Sequence, residues 1–170
     1  IAYFWTDNFG VQWNRAIREI VLKHVPQIGD RARLFALANL AGADAVITAL
    51  DSKKYYLFWR PVTAIRNGEL DGNPDTAGDG EWQSLVNNPN YPDYTSGANN
   101  ITGAMTRTLA LFFGTDEMSF QVTSLAPLAV KKTRTYARFS AAAQQCVSAR
   151  VYLGIHLRFA DTAARKQGEK

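Results

Sequence analysis

Cysteine is almost missing. Among 170 residues only Cys146 carries a thiol, so no internal disulfide can form and nothing in the chain depends on an oxidising compartment. A single thiol in an apolar surrounding behaves as a small buried hydrophobe, and that is how Cys146 is read. Basic runs are missing too. The net charge of +4 and pI near 9.3 can steer anions, but no stretch of five or more Lys or Arg marks a nucleic-acid surface. No charged start followed by an apolar signal core is present. The most apolar run, residues 34–50, is interrupted by Asn39 and Asp44 and falls short of a good membrane span. It reads as a buried helix of a soluble protein. Calcium is excluded from the acidic turn at Asp71-Gly72-Asn73-Pro74-Asp75 because Thr76 and Trp82 stand where an EF-hand needs glycine and glutamate. The chain starts at Ile1, which leads us to expect a processed or trimmed N-terminus, as in a secreted or periplasmic protein.

What is present is one domain's worth of helix, with 46% hydrophobic residues to build a core. Trp13, Ile17, Ile20 and Val21 form one stripe of a first helix, closed near His24 by Pro26 and Gly29. Asp30 is placed to cap a second helix, apolar nearly all round and therefore expected to be buried on most sides. Its small residues, Ala36, Ala38, Ala41, Gly42, Ala43 and Ala45, would let neighbouring backbones come close. Residues 67–95 are rich in Gly and Pro, a long loop of the kind that often binds or covers something. A third amphipathic helix follows with Ile101, Ala104, Met105, Thr108, Leu109 and Phe112, capped by Thr95 or Ser96 and stopped by Gly114. Residues 119–123 and 133–137 alternate as short strands do. Ser140 is placed to cap a helix that Gly154 ends, and a last helical piece follows His156.

Three segments carry chemistry. Lys53 and Arg60 lie seven residues apart, which on a continuous helix puts them within about 20° of one face and about 10.5 Å apart along the axis. Pro61 ends that helix. Ser96 and Gly97 open a helix, where a hydroxyl, free N–H groups and the positive end of the dipole meet. Arg150 and His156 would diverge by about 120° on an unbroken helix, and a break at Gly154 would let both face one pocket. Taken alone, the first pair reads more readily as two solvated cations and the Ser-Gly pair as an ordinary cap. Together they could hold a phosphate-like dianion through guanidinium groups and N–H donors, with neutral His156 attacking phosphorus or coordinating a metal oxyanion.

Lys53-x6-Arg60-Pro61, Thr95-Ser96-Gly97 and Ala149-Arg150-x5-His156, in that order, resemble the three-part signature of the vanadium-dependent haloperoxidase and type-two phosphatidic acid phosphatase superfamily. The linking stretches 58–66, 71–74, 91–94 and 154–159 are similar to its soluble bacterial haloperoxidase-like branch. The resemblance implies an all-α fold, a helical bundle of the haloperoxidase or acid phosphatase type with a long Gly/Pro-rich loop and a few short strands, over residues 1–170 as one domain or a fragment of a longer chain. It implies that Lys53, Arg60, Ser96, the Gly97 N–H and Arg150 hold the oxygens of vanadate or phosphate. His156 would bind vanadium in a haloperoxidase, with vanadate as cofactor, or be the phosphorylated nucleophile in a phosphatase, with no cofactor. The catalytic set so implied is His156, Arg60 and Lys53. The expected partner is a small-molecule substrate or oxyanion, and self-association is left open.

Two positions depart from the pattern. The block Pro-Ser-Gly-His becomes Thr95-Ser96-Gly97-Ala98, so the acid–base histidine is replaced by alanine. General acid–base help is worth roughly 10²–10⁴-fold, and Asp93 or Asp161 are the candidate stand-ins. The acid expected four residues after the ligand histidine is Ala160, with Asp161 one residue late, so the ring's outer nitrogen needs some other support. Three readings stay open: haloperoxidase, phosphatase, or oxyanion binding without turnover.

Overall fold

A computed structural model describes all of residues 1–170. A 3-10 turn at Ala2–Thr6 leads into α1 (Phe9–His24), whose N-cap Asn8 accepts a hydrogen bond from the Val11 N–H. The Trp13, Ile17, Ile20 and Val21 stripe is buried as its spacing requires. α2 (Ile28–Tyr56) is the longest element and is followed by α3 (Pro61–Arg66), the loop, and α4 (Gly97–Phe113). β1 (Phe120–Thr123) and β2 (Thr133–Tyr136) pair antiparallel, Phe120 opposite Tyr136. α5 (Phe139–Tyr152) and α6 (Arg158–Gly168) complete a helical bundle with a single two-stranded ribbon at its side. Trp5, Trp13, Phe120, Tyr136 and Phe139 meet in one aromatic core beside Leu34, Leu109 and Cys146. Cys146 is fully buried, and burial pushes its thiol up to about 12.

Small residues set how closely the helices approach. A Cβ on Gly42 would meet the Met105 side chain at 2.7 Å, and one on Gly103 would meet the Arg165 carbonyl oxygen at 2.4 Å. The second contact is with backbone, which cannot swing away. Gly103→Ala is therefore expected to destabilise the fold by about 1–3 kcal/mol and to lower the midpoint of a circular-dichroism melt by roughly 2–4 °C for each of them. An unchanged melting temperature would show that α4 and α6 do not approach this closely.

The structure corrects several expectations. α2 is not buried on most sides: it buries one stripe, Leu34, Ala38, Gly42, Ala45, Ala49 and Lys53, against α4, while Leu40 and Ile47 are 66% and 65% exposed. By length and composition alone it could cross a membrane. It also stops at Tyr56, short of Arg60. Leu57 takes a left-handed conformation (φ 47°) with its N–H on the Lys53 carbonyl, and extended Arg60 is instead the N-cap of α3, with Pro61 in that helix's first turn. Lys53 and Arg60 thus share no helix face. Asp30 lies inside the first turn of α2, whose N-cap is Gln27. Ser140 lies inside α5, whose N-cap is Arg138; its N–H and hydroxyl bond Asp116. Of the two cap candidates for α4, Ser96 occupies the position.

Candidate functional site

Tyr91, Pro92 and Asp93, the last turn of the Gly/Pro-rich loop, form the hub on which the basic residues converge. Lys53, on the final turn of α2, donates from Nζ to the carbonyl oxygens of Pro92 (2.8 Å) and Asp93 (2.7 Å). Arg60 donates from Nε to the Tyr91 carbonyl (2.8 Å) and from Nη1 to the Ile155 carbonyl (2.7 Å). The Tyr91 ring lies against both cations, 5.3 Å from Lys53 Nζ and 4.9 Å from the Arg60 guanidinium carbon. Proline at 92 fits this geometry, because a residue without an N–H loses nothing where only its carbonyl is used. Burial, then the neighbouring Arg60 charge, bring Lys53 down to about 8; burial also lowers Arg60 from its ordinary value.

His156 reaches the same point from the opposite end of the sequence. Gly154 (φ 72°) breaks the chain after α5, and Ile155 and His156 turn inward before α6 begins. The Gly154 turn is also where the loop docks: a Cβ there would meet the Trp82 ring at 2.9 Å, and the Leu85 N–H bonds the Leu153 carbonyl at 3.0 Å. The Nδ1 of His156 hydrogen-bonds Asp93 Oδ1, whose second oxygen accepts the Leu157 N–H at 3.1 Å. Nε2 lies 3.4 Å from Arg60 Nη1. A cation can only donate, so the consistent tautomer carries its proton on Nδ1 and turns the Nε2 lone pair toward Arg60. Burial brings the ring down to about 4; Asp93 opposes this, while Arg60 and Arg150 add to it. The imidazole is neutral at pH 7, the form in which it is a nucleophile or a metal ligand.

Ser96 and Gly97 open α4, and nothing lies within 4 Å of where a Cβ on Gly97 would be. The Ser96 hydroxyl faces Asn99, whose Nδ2 lies 3.4 Å away and donates at 2.6 Å to Asp161 Oδ1. Arg150 donates to the Trp5 carbonyl (3.0 Å) and stacks on Phe9, yet its buried Nε has no partner. Its charge adds, after burial, to the lowering of Lys53, Arg60 and His156. Lys53, Arg60 and His156 are therefore brought onto one loop. Arg150, Ser96 and Gly97 make no hydrogen bond to any of the three. Two clefts, about 500 Å³ beside Arg107 and Lys166 and about 550 Å³ beside Asp44 and Gln167, lie outside this cluster.

Asp93 holds the His156 ring, so the support expected near position 160 comes instead from the loop, and Asp93 is occupied rather than free to replace a histidine at 98. Sequence reasoning missed the carbonyls of Tyr91, Pro92 and Ile155 altogether. Carbonyl acceptors are common to every residue type and leave no mark in a sequence. The only available signal was the pairing of an acid with a proline just upstream of Ser96.

The class of protein that this helical bundle defines is the vanadium haloperoxidase superfamily. Residues 33–170 match the family model described as the VCPO second helical-bundle domain, and the chain belongs to that family. Vanadium chloroperoxidase of Curvularia inaequalis is 38% identical over 86 residues, covering 45% of this chain and 14% of that protein. Among solved structures, a bacterial vanadium-dependent iodoperoxidase superposes with a TM-score of 0.84 at 29% identity, covering 99% of this chain and 40% of the other. A holo-type bacterial vanadium-dependent chloroperoxidase shares the fold, with a TM-score of 0.72 at 19% identity, 95% of this chain and 38% of the other. The chain thus spans well under half the length of each of these relatives.

Proposed function

We propose that this domain binds vanadate or phosphate among Lys53, Arg60, Ser96, Gly97, Arg150 and His156, and that it serves peroxide-dependent halide oxidation. The observation that carries the reading is the pairing of His156 Nδ1 with Asp93, which turns a neutral Nε2 toward Arg60. The donor set fits a tetrahedral oxyanion: the unpartnered Nε of Arg150 and the open space over Gly97 are what such a guest would use. Lys53, Arg60 and Arg150 would neutralise its charge, the Ser96 hydroxyl and Gly97 N–H would donate to its oxygens, and Nε2 would hold the central atom. Bound vanadate would supply the electrophilic centre at which peroxide is activated toward halide. With phosphate esters the same residues would serve an acid phosphatase, His156 taking the phosphoryl group.

Ala98 favours a second reading, oxyanion binding without turnover. It is buried at the start of α4, where a methyl group can exchange no proton. Calorimetric titration with vanadate, bromination of a dye with peroxide after vanadate loading, and hydrolysis of p-nitrophenyl phosphate separate the three. Ala98→His is expected to raise bromination or hydrolysis, by up to roughly 10²–10⁴-fold if the ring is well placed. A folded variant that gains neither activity, in a protein that still binds vanadate, leaves the binding-only reading in possession.

A further inference from the structure

α2 carries one face that nothing in this chain covers. Opposite the stripe that packs on α4, every third or fourth residue from Asp30 to Lys54 is exposed. The middle of that face is apolar, with Leu40, Ile47 and Leu50 each more than half exposed, and an apolar cleft lined by Leu37, Leu111 and Phe112 runs along its edge. Alternating three- and four-residue spacing is the seam of a two-stranded coiled coil. Its ends are charged, Asp30 and Arg33 at one and Asp51 and Lys54 at the other, and none of the four has an ion-pair partner within the chain. We propose that α2 docks antiparallel on α2 of a second copy, about a two-fold axis at the level of Gly42, and that this face is a homodimer interface.

One register satisfies the whole seam. With the axis at Gly42, Asp30 meets the partner's Lys54 and Arg33 meets the partner's Asp51. Leu37 then meets the partner's Ile47, and Leu40 the partner's Asp44. Two-fold symmetry makes every pairing occur twice. A parallel pair would instead set each charge against its own copy, Arg33 on Arg33 and Asp51 on Asp51, and like charges face to face repel. A slip of one heptad would join Arg33 to the partner's Asp44 but leave Asp51 and Lys54 without counter-charges. Asp44 is the one charge set against an apolar side chain, and a polar residue at a single seam position fixes register at a cost in stability. Lys53 is buried on the other side of the last turn, on the carbonyls of Pro92 and Asp93. The seam therefore does not run through the oxyanion site, and the inference does not depend on that reading.

Sedimentation equilibrium of the 170-residue chain, taken up to its solubility limit, reads the association directly. Wild type is expected to show a monomer–dimer equilibrium. Arg33→Asp should raise the dimer Kd by at least about tenfold, because it sets two pairs of like charges into the interface. Asp51→Arg should do the same. The double variant should return close to wild type, since the two reversals meet across the axis. Asp44→Leu should tighten the dimer, and circular-dichroism melts verify that each variant is folded. A wild type that stays monomeric throughout overturns the inference. So does a double variant no better than either single one, because the association would then use another register or another face. A monomer that co-sediments with phosphatidylcholine–phosphatidylglycerol vesicles overturns it too and gives the face to a lipid surface.

Discussion

Arg60→Ala is expected to weaken vanadate and phosphate binding by roughly 30-fold to several thousand-fold, the equivalent of losing about 2–5 kcal/mol from a buried, hydrogen-bonded charge pair. Arg60 is the residue through which the loop, the turn after α5 and the imidazole touch one another. It donates to the Tyr91 and Ile155 carbonyls, faces His156 Nε2 and stacks on Tyr91. Truncation leaves two carbonyls short of a charged donor, which costs about 1–3 kcal/mol each before relaxation. Part of that is returned, because Lys53 and His156 are relieved of a neighbouring positive charge that now disfavours their own protonation. Net stability should therefore fall less than affinity does. Arg60→Lys should rescue little, since an ammonium group cannot span two carbonyls in a planar fork. Calorimetry for affinity and denaturant melts for stability separate the two effects. Vanadate binding at wild-type strength in the folded Ala variant would remove Arg60 from the site.

Asp93→Ala should weaken oxyanion binding by about 10–100-fold, the usual consequence of removing the group that orients a ligating imidazole. The carboxylate selects the tautomer: with Asp93 on Nδ1, the lone pair must be on Nε2. Without it the proton can move to Nε2, where it would point at Arg60. The pH dependence has a definite sign. His156 is at about 4 in the folded protein against an ordinary value of 6.5. Below about 6.5 the unfolded chain takes up a proton that the folded chain refuses, so the stability this ring confers is present above pH 6.5 and drains away as the pH falls toward 4. Asp93 is what limits the depression, through both its hydrogen bond and its charge. Its removal should lower the ring further and extend the loss to lower pH. Imidazole shifts in a nuclear magnetic resonance titration give both the tautomer and the midpoint; an unaltered His156 titration in Asp93→Ala would refute the assignment.

Spacing ranks Arg60 early and gives no sign that Asp93 holds the imidazole. Arg60 and Lys53 were drawn together on the assumption of a continuous helix. They do meet, but because Leu57 reverses the chain and both cations then find the carbonyls of residues 91–93. The residue types and their order were legible because side-chain chemistry is written directly in the sequence. Helical periodicity located α1 and α4, and alternation located the two short strands, for a similar reason: a half-buried element repeats its apolar residues at its own pitch. The outer face of α2 misled, since an apolar residue looks the same whether or not anything covers it.

Sequence alone determined that this is a helical chain of the vanadium haloperoxidase superfamily, with one candidate imidazole and an alanine where an acid–base histidine is expected. Tertiary structure alone decided that Asp93 holds that imidazole, that backbone carbonyls gather the cations, and that Asp161 lies buried beside Ser96. Those relations join residues as many as 95 positions apart, and carbonyl acceptors carry no side-chain signature. Only the packing of the loop against the turn at Gly154 could bring them within hydrogen-bonding distance.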